Sequence, residues 1–136
     1  MKLLVSALDP SANVHLESLF PYCPDLEMAG IFEPRLGTPL FDAKEFAVMG
    51  FLDVLPKILQ AKEAIAQMAF LAGDCDVVLL IDAPAFNIPL AKAIKKRYPF
   101  KKIIYYILPK VWAWKKGRVK VVEQYCDELL SHQVLF

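Results

Sequence analysis

Only two histidines, His15 and His132, occur in the 136 residues, so no His-rich metal centre and no Cys2His2 site can be assembled. No bound metal is expected. The three cysteines, Cys23, Cys75 and Cys126, stand about fifty residues apart without a C-x-x-C pair. An odd count at that spacing argues against a disulfide framework or a zinc ribbon, and the thiols read as small buried side chains. With only 5 glycines, the chain has no G-x-G-x-x-G run, so the dinucleotide fingerprint is missing and no cofactor is expected. The strongest apolar runs, residues 77–81 and 103–108, fall far short of the ~18 to 20 residues that cross a bilayer. At the start, the apolar stretch after Lys2 breaks at Ser6 and meets Asp9-Pro10, too short for a secretory signal. These absences predict a cytoplasmic chain.

What is present is a core-forming composition, 57% hydrophobic, in a chain of one-domain size. The net charge of +1 conceals a division: residues 1–91 carry 5 Lys/Arg against 12 Asp/Glu, whereas residues 92–120 carry 11 Lys/Arg and no acid. Such a block is either an ordinary solvated face or a surface turned toward anionic lipid or phosphate.

Residues 2–8 form a compact apolar run closed by Asp9-Pro10, as in a buried first strand feeding a loop, with Ser11 placed to cap a short helix through Phe20. Residues 27–32 read as a second strand. Between residues 55 and 72, Ile58, Ala61, Ile65, Met68, Ala69 and Ala72 recur at three- and four-residue steps, the pattern of an amphipathic helix that Gly73 ends. Residues 77–81 are apolar at every position, as in a parallel strand covered on both faces. A helix over residues 86–98 follows, with Pro89 in its first turn and Lys95, Lys96 and Arg97 where the macrodipole favours cations. A strand over residues 103–108, a helix around residues 118–125 and the start of another strand near the end complete the alternation. This succession predicts an α/β fold, a Rossmann-like open parallel sheet with right-handed crossovers. Because the chain finishes on apolar residues with no polar tail, it is expected to be a truncated single domain, residues 1–136.

Three constellations carry candidate chemistry. Asp82, in the segment IDAPAFN of residues 81–87, stands at the carboxyl end of a central strand, where open α/β sheets place their ligands. It is either a functional carboxylate or the cap of the following helix. The first loop, LDPSAN of residues 8–13, offers Ser11 and Asn13 to sugar hydroxyls or to helix capping, and His15 reads as a packed side chain. Residues 105–118 combine both tryptophans, Trp112 and Trp114, with Lys115, Lys116 and Arg118. Indole beside cations suits a membrane interface with lipid phosphates, or else the rings pack over the sheet edge.

The segments EFAVMGFLDVL (residues 45–55), IDAPAFN (81–87) and PKVWAWKKGRV (109–119) occur in the order and spacing seen in lipid-A-disaccharide synthases, which the chain resembles over most of its length. Two family features differ: the loop usually reading G-E-A-S-G-D is LDPSAN here, keeping only the serine, and the family Asp three residues after the base is Ala85. The family continuation I-L-P-F-E is missing after Leu130.

The resemblance implies the N-terminal, acceptor-side domain of a GT-B glycosyltransferase whose UDP-binding C-terminal domain is absent from this chain. It implies an inverting hexosyltransferase that moves 2,3-diacylglucosamine from its UDP donor to 2,3-diacylglucosamine 1-phosphate in lipid A and lipopolysaccharide biosynthesis. Asp82 would be the general base. Ser11, Asn13, Met49, Gly50 and Asn87 would contact the acceptor, and Trp112, Trp114, Lys115, Lys116 and Arg118 the membrane or phosphate. The implied location is cytoplasmic and peripheral at the anionic inner-membrane surface, with no nucleic-acid partner, and this chain alone is expected to be inactive. Two alternatives stand beside it, a non-catalytic lipid- or membrane-binding remnant and a flavodoxin-like binding module.

Overall fold

A computed structural model describes the backbone of residues 1–48, 58–107 and 128–131, and the side chains of residues 1–46 and 61–106. Among these residues six strands form one parallel sheet: β1 (Lys2–Ala7), β2 (Glu27–Phe32), β3 (Phe41–Asp42), β4 (Val77–Ile81), β5 (Lys102–Ile107) and β6 (Glu128–Ser131). The helices are α1 (Pro10–Glu17), α2 (Ala43–Val48), α3 (Ile58–Leu71) and α4 (Pro84–Arg97). Strand order is β3-β2-β1-β4-β5-β6, the order of the dinucleotide-binding sheet. The expected α/β, Rossmann-like class is what the chain adopts.

The two apolar central strands explain this architecture. Side chains alternate across a strand, so Leu4 of β1 with Val78 and Leu80 of β4 enter one core, while Leu3, Val5 and Ala7 with Leu79 and Ile81 enter the other. Both faces therefore need cover. On the first face, Ala61, Ala64, Met68, Ala69 and Ala72 meet Phe86, Leu90, Ala91 and Ile94 of α4. On the second, Ala12 and Leu16 of α1 are buried against Phe32 and the strands. Gly30 of β2 lies at φ +116, and a Cβ there would sit 2.2 Å from the Val5 carbonyl oxygen, so only glycine lets β2 approach β1 so closely.

Several expectations need correction. The buried face of α3 runs through Ala64, whereas Ile65 is only half-buried, because the stripe is centred on Met68. α1 stops at Glu17, and Phe20 belongs to a separate 3-10 turn. α4 starts two residues earlier than the pattern suggests, with Pro84 in its first turn and Pro89 inside the helix. Pro89 is tolerated because it and Ala85, whose carbonyl loses its helical donor, both face outward. Cys75 is buried, but Cys23 is only partly so. Strand β3 and helix α2 were not foreseen, since a two-residue strand leaves no alternation to read.

Candidate functional site

Reversal of chain direction across the sheet occurs between β1 and β4: β2 and β3 lie outward on one side, β5 and β6 on the other. At such a switch point the loops leaving the two strands diverge and open a crevice at the carboxyl edge. The β1–α1 loop and the β4–α4 loop are its walls. Asp82 and Asp9, both half-buried, stand in these loops on opposite sides of the switch.

The two loops are built alike. In each, the last strand residue is followed by two loop residues, a proline in the first turn of the helix and, three residues beyond it, an asparagine: Ala7, Pro10 and Asn13 in one, Ile81, Pro84 and Asn87 in the other. Both asparagines are completely buried. Asn13 Nδ2 donates to the Ala7 carbonyl at 3.0 Å and to the Asp9 carbonyl at 2.8 Å, and its Oδ1 accepts the Glu33 amide at 2.8 Å. Asn87 Nδ2 donates to the Ile81 carbonyl at 3.2 Å and to the Asp82 carbonyl at 2.7 Å. Asn87 Oδ1 is buried with no partner among the described residues. Proline sets the helix start and the amide ties it to the strand end. The shared Pro-x-x-Asn spacing was in the sequence, and is the signal that would have found this pairing.

They differ in backbone. Asp9 is the N-cap of α1 in ordinary extended conformation, without a capping bond from its side chain. Asp82 and Ala83 are consecutive left-handed residues, φ 49 and 45, neither of them glycine. Each such residue costs about 1–2 kcal/mol, so the turn persists only where its surroundings fix it. The Asp82 amide donates to the Tyr106 carbonyl at 2.8 Å, and the Tyr105 hydroxyl donates to the Asp82 carbonyl at 2.6 Å. Ala83, not Asp82, occupies the N-cap position of α4.

Aromatic packing joins two of the segments singled out from sequence. Phe46 of α2 meets Phe86 edge-on, with ring centroids 5.5 Å apart, and Phe41 at 5.4 Å. On the opposite face His15 lies 5.5 Å from the ring of Tyr106, a packed position, and burial pushes the Tyr106 phenol upward from its ordinary value. Beside the first loop, Arg35 pairs with exposed Glu17 and with buried Glu33; its guanidinium is pushed up by these partners, and the exposed Glu17 pair contributes little to stability.

Of the residues singled out, Asp82, Ser11, Asn13 and Asn87 gather around the switch. Ser11 is exposed inside the first turn of α1 and does not cap it, whereas the two asparagines turn their amide nitrogens onto backbone carbonyls beneath the loops. Met49, Gly50, Trp112, Trp114, Lys115, Lys116 and Arg118 lie outside the described residues, as do Cys126, His132 and the helix expected at 118–125. The described part of the basic block does not reach the crevice. α4 carries Lys95 and Arg97 to the amino edge, where Lys95 donates to the Lys101 carbonyl at 2.6 Å, Lys101 to the Cys75 carbonyl, and Arg97 lies over Phe70 at 5.2 Å. Two shallow hollows, about 450 and 440 Å³, also border Arg97 and include no residue of either crevice loop. No helix among the described residues is long and apolar enough to cross a membrane.

Asn13→Ala should destabilise the protein by roughly 1–3 kcal/mol, because the buried Glu33 amide loses its acceptor. Ser11→Ala, at an exposed position, should stay within about 0.5 kcal/mol. Denaturant melts of the two variants check this, and equal effects would contradict the buried bridge.

Comparison with known proteins agrees with the motif spacing. The family model described as lipid-A-disaccharide synthetase matches residues 3–132. The lipid-A-disaccharide synthase of Helicobacter pylori (strain P12) is 52% identical over 128 residues, covering 93% of this chain and 35% of the relative. That of Helicobacter acinonychis (strain Sheeba) is 51% identical over 128 residues, with the same coverage of 93% and 35%. The Campylobacter jejuni (strain RM1221) synthase is 48% identical over 141 residues, covering 94% of this chain and 39% of the relative. A crystal structure of a Vibrio parahaemolyticus protein of unknown function covers 96% of this chain and 91% of its own, at 17% identity and a TM-score of 0.43. The chain thus spans little more than a third of the length of these curated synthases. A match through nearly every described element sets aside the flavodoxin-like alternative, and the chain belongs to the lipid-A-disaccharide synthase family.

Proposed function

We propose that this chain is the N-terminal, acceptor-side domain of a GT-B glycosyltransferase, with the donor's UDP gripped by a second domain in the part of the relatives it does not span. The observation that carries the reading is the position of Asp82. In a chain of this family, it brings a carboxylate to the carboxyl edge at the β1/β4 switch, on a turn tied to both α4 and β5.

The acceptor is 2,3-diacylglucosamine 1-phosphate. Its 6-hydroxyl attacks the anomeric carbon of UDP-2,3-diacylglucosamine from the face opposite the leaving group, forming the new C–O bond as the bond to the diphosphate breaks. UDP departs with the bonding pair, the hydroxyl proton passes to the Asp82 carboxylate, and the anomeric centre inverts. Ser11, exposed in the first turn of α1, is the residue we assign to an acceptor hydroxyl, and Met49 and Gly50 are assigned acceptor contacts by the family resemblance. Asn13 and Asn87 support the two crevice loops from below. Because the donor's diphosphate has to be held by the second domain for the two sugars to be brought into line, residues 1–136 by themselves are expected to be inactive.

In a full-length synthase carrying this region, Asp82→Asn keeps shape and hydrogen bonding but removes the base. Turnover should fall roughly 100-fold or more with little change in substrate affinity. Near-normal turnover would overturn the assignment.

Residence at the cytoplasmic face of the inner membrane follows from acylated substrates. Trp112, Trp114, Lys115, Lys116 and Arg118 form the contact we assign to anionic headgroups, each surface-near cation worth on the order of 1 kcal/mol. The division of the basic block favours this group over the α4 lysines, which are drawn to the amino edge. Co-sedimentation with anionic vesicles should weaken in Lys115→Glu/Lys116→Glu and at high salt, since screening acts within ~8 Å at physiological ionic strength. Equal binding to neutral vesicles, or no loss in the double variant, would contradict it.

A further inference from the structure

We propose that Tyr105 and Asn87 are positioning residues for Asp82, holding its left-handed turn by two hydrogen bonds to one carbonyl oxygen. The inference rests on Asp82 as general base. Asp82 and Ala83 adopt φ 49 and 45, a conformation that a side chain bearing a Cβ avoids when its backbone is free to relax. Relaxation would swing the Cα–Cβ bond of Asp82 and carry its carboxylate away from the crevice.

What opposes relaxation is a set of bonds from two different elements. The Tyr105 hydroxyl, from β5, reaches the Asp82 carbonyl at 2.6 Å, and Asn87 Nδ2, from the first turns of α4, reaches the same oxygen at 2.7 Å. Asn87 Nδ2 also holds the preceding carbonyl, Ile81, at 3.2 Å, and the Asp82 amide is bound to the Tyr106 carbonyl at 2.8 Å. Tyr105 and Asn87 are both 0% exposed. The two donors are thereby held in place by the core, while the Asp82 residue that accepts from them is half-buried at its edge.

The matching loop shows what the second donor adds. Asn13 ties the β1–α1 loop through its side-chain amide, and there the N-cap residue, Asp9, stays in ordinary extended conformation. The loop carrying Asp82 receives a tyrosine hydroxyl as well as an amide, and among the described non-glycine residues it alone has left-handed positions. Since the Tyr105 hydroxyl bonds the backbone carbonyl of Asp82, its effect passes through the carboxylate it orients.

A double-mutant cycle in a full-length synthase carrying this region separates positioning from mere packing. Tyr105→Phe removes one oxygen from a buried ring; kcat for UDP release should drop about tenfold with KM within about twofold. In the Asp82→Asn background the same substitution should cause no further loss, because there is no base left to misplace. Thermal melting on the same preparations confirms that each variant is folded at the assay temperature, and Asn87→Ser replaces Tyr105→Phe in the cycle if the latter is not. A tenfold loss repeated in the Asp82→Asn background overturns the positioning role while leaving Asp82 as base. Normal turnover in Asp82→Asn alone removes both.

Discussion

Parallel pairing of β1 with β4 is the contact on which the rest of the molecule depends. It joins residues 74 apart in sequence, from Leu3 opposite Val77 to Ala7 opposite Ile81, and both strands bury apolar side chains on both faces. Strands with core on both faces must be covered twice. α1 therefore lies on one side, α3 and α4 on the other, and the chain reverses its direction across the sheet between the two strands. The crevice is a geometric product of that reversal, so the residues leaving β1 and β4 are placed for function before any side chain is chosen.

The energetics of the crevice loops follow from the same burial. A polar group beneath a loop must be bonded or it costs about 1–3 kcal/mol, and Asn13 meets this with two donated bonds and one accepted. Asn87 donates as Asn13 does, yet its Oδ1 stays without a partner among the described residues. Strain and an unsatisfied oxygen therefore coincide at the loop of Asp82. Neighbouring packing is conventional, with Phe46 against Phe86 and small alanines letting α3 settle near α4. Among the described residues, Asp82 and Ala83 are the non-glycine positions at positive φ, a strain that persists only where the surrounding structure fixes it.

Much of this was legible in the residues themselves. Residues 27–32 and 77–81 are strands over the expected bounds, because a run with breakers at both ends admits few alternatives. The helix after Asp82 was legible in type but not in start, since Pro84 marks the first turn more reliably than the first bulky residue does. The capping roles offered to Ser11 and Asp82 failed for a common reason: Pro10 and Pro84 take the first helical position, which puts the cap on the residue directly before each, Asp9 and Ala83. Nothing in composition announces that Asp82 and Ala83 take positive φ. That conformation depends on Tyr105 and Asn87, which become neighbours only after β5 has joined β4. The shape of β3 and α2 was equally hidden, as it shows only once Phe46 has met both Phe41 and Phe86.

We propose that the carboxyl-edge crevice between β1 and β4, and not the basic amino edge, receives the acylated sugar. Backbone amide shifts of an isotopically labelled full-length synthase carrying this region, titrated with 2,3-diacylglucosamine 1-phosphate, read it directly. Saturable perturbations are expected at the non-proline residues of 8–13 and 82–87, with Asp76, Lys101 and Lys102 unmoved. Perturbations confined to Asp76, Tyr98, Lys101 and Lys102, with the two crevice loops silent, would contradict it.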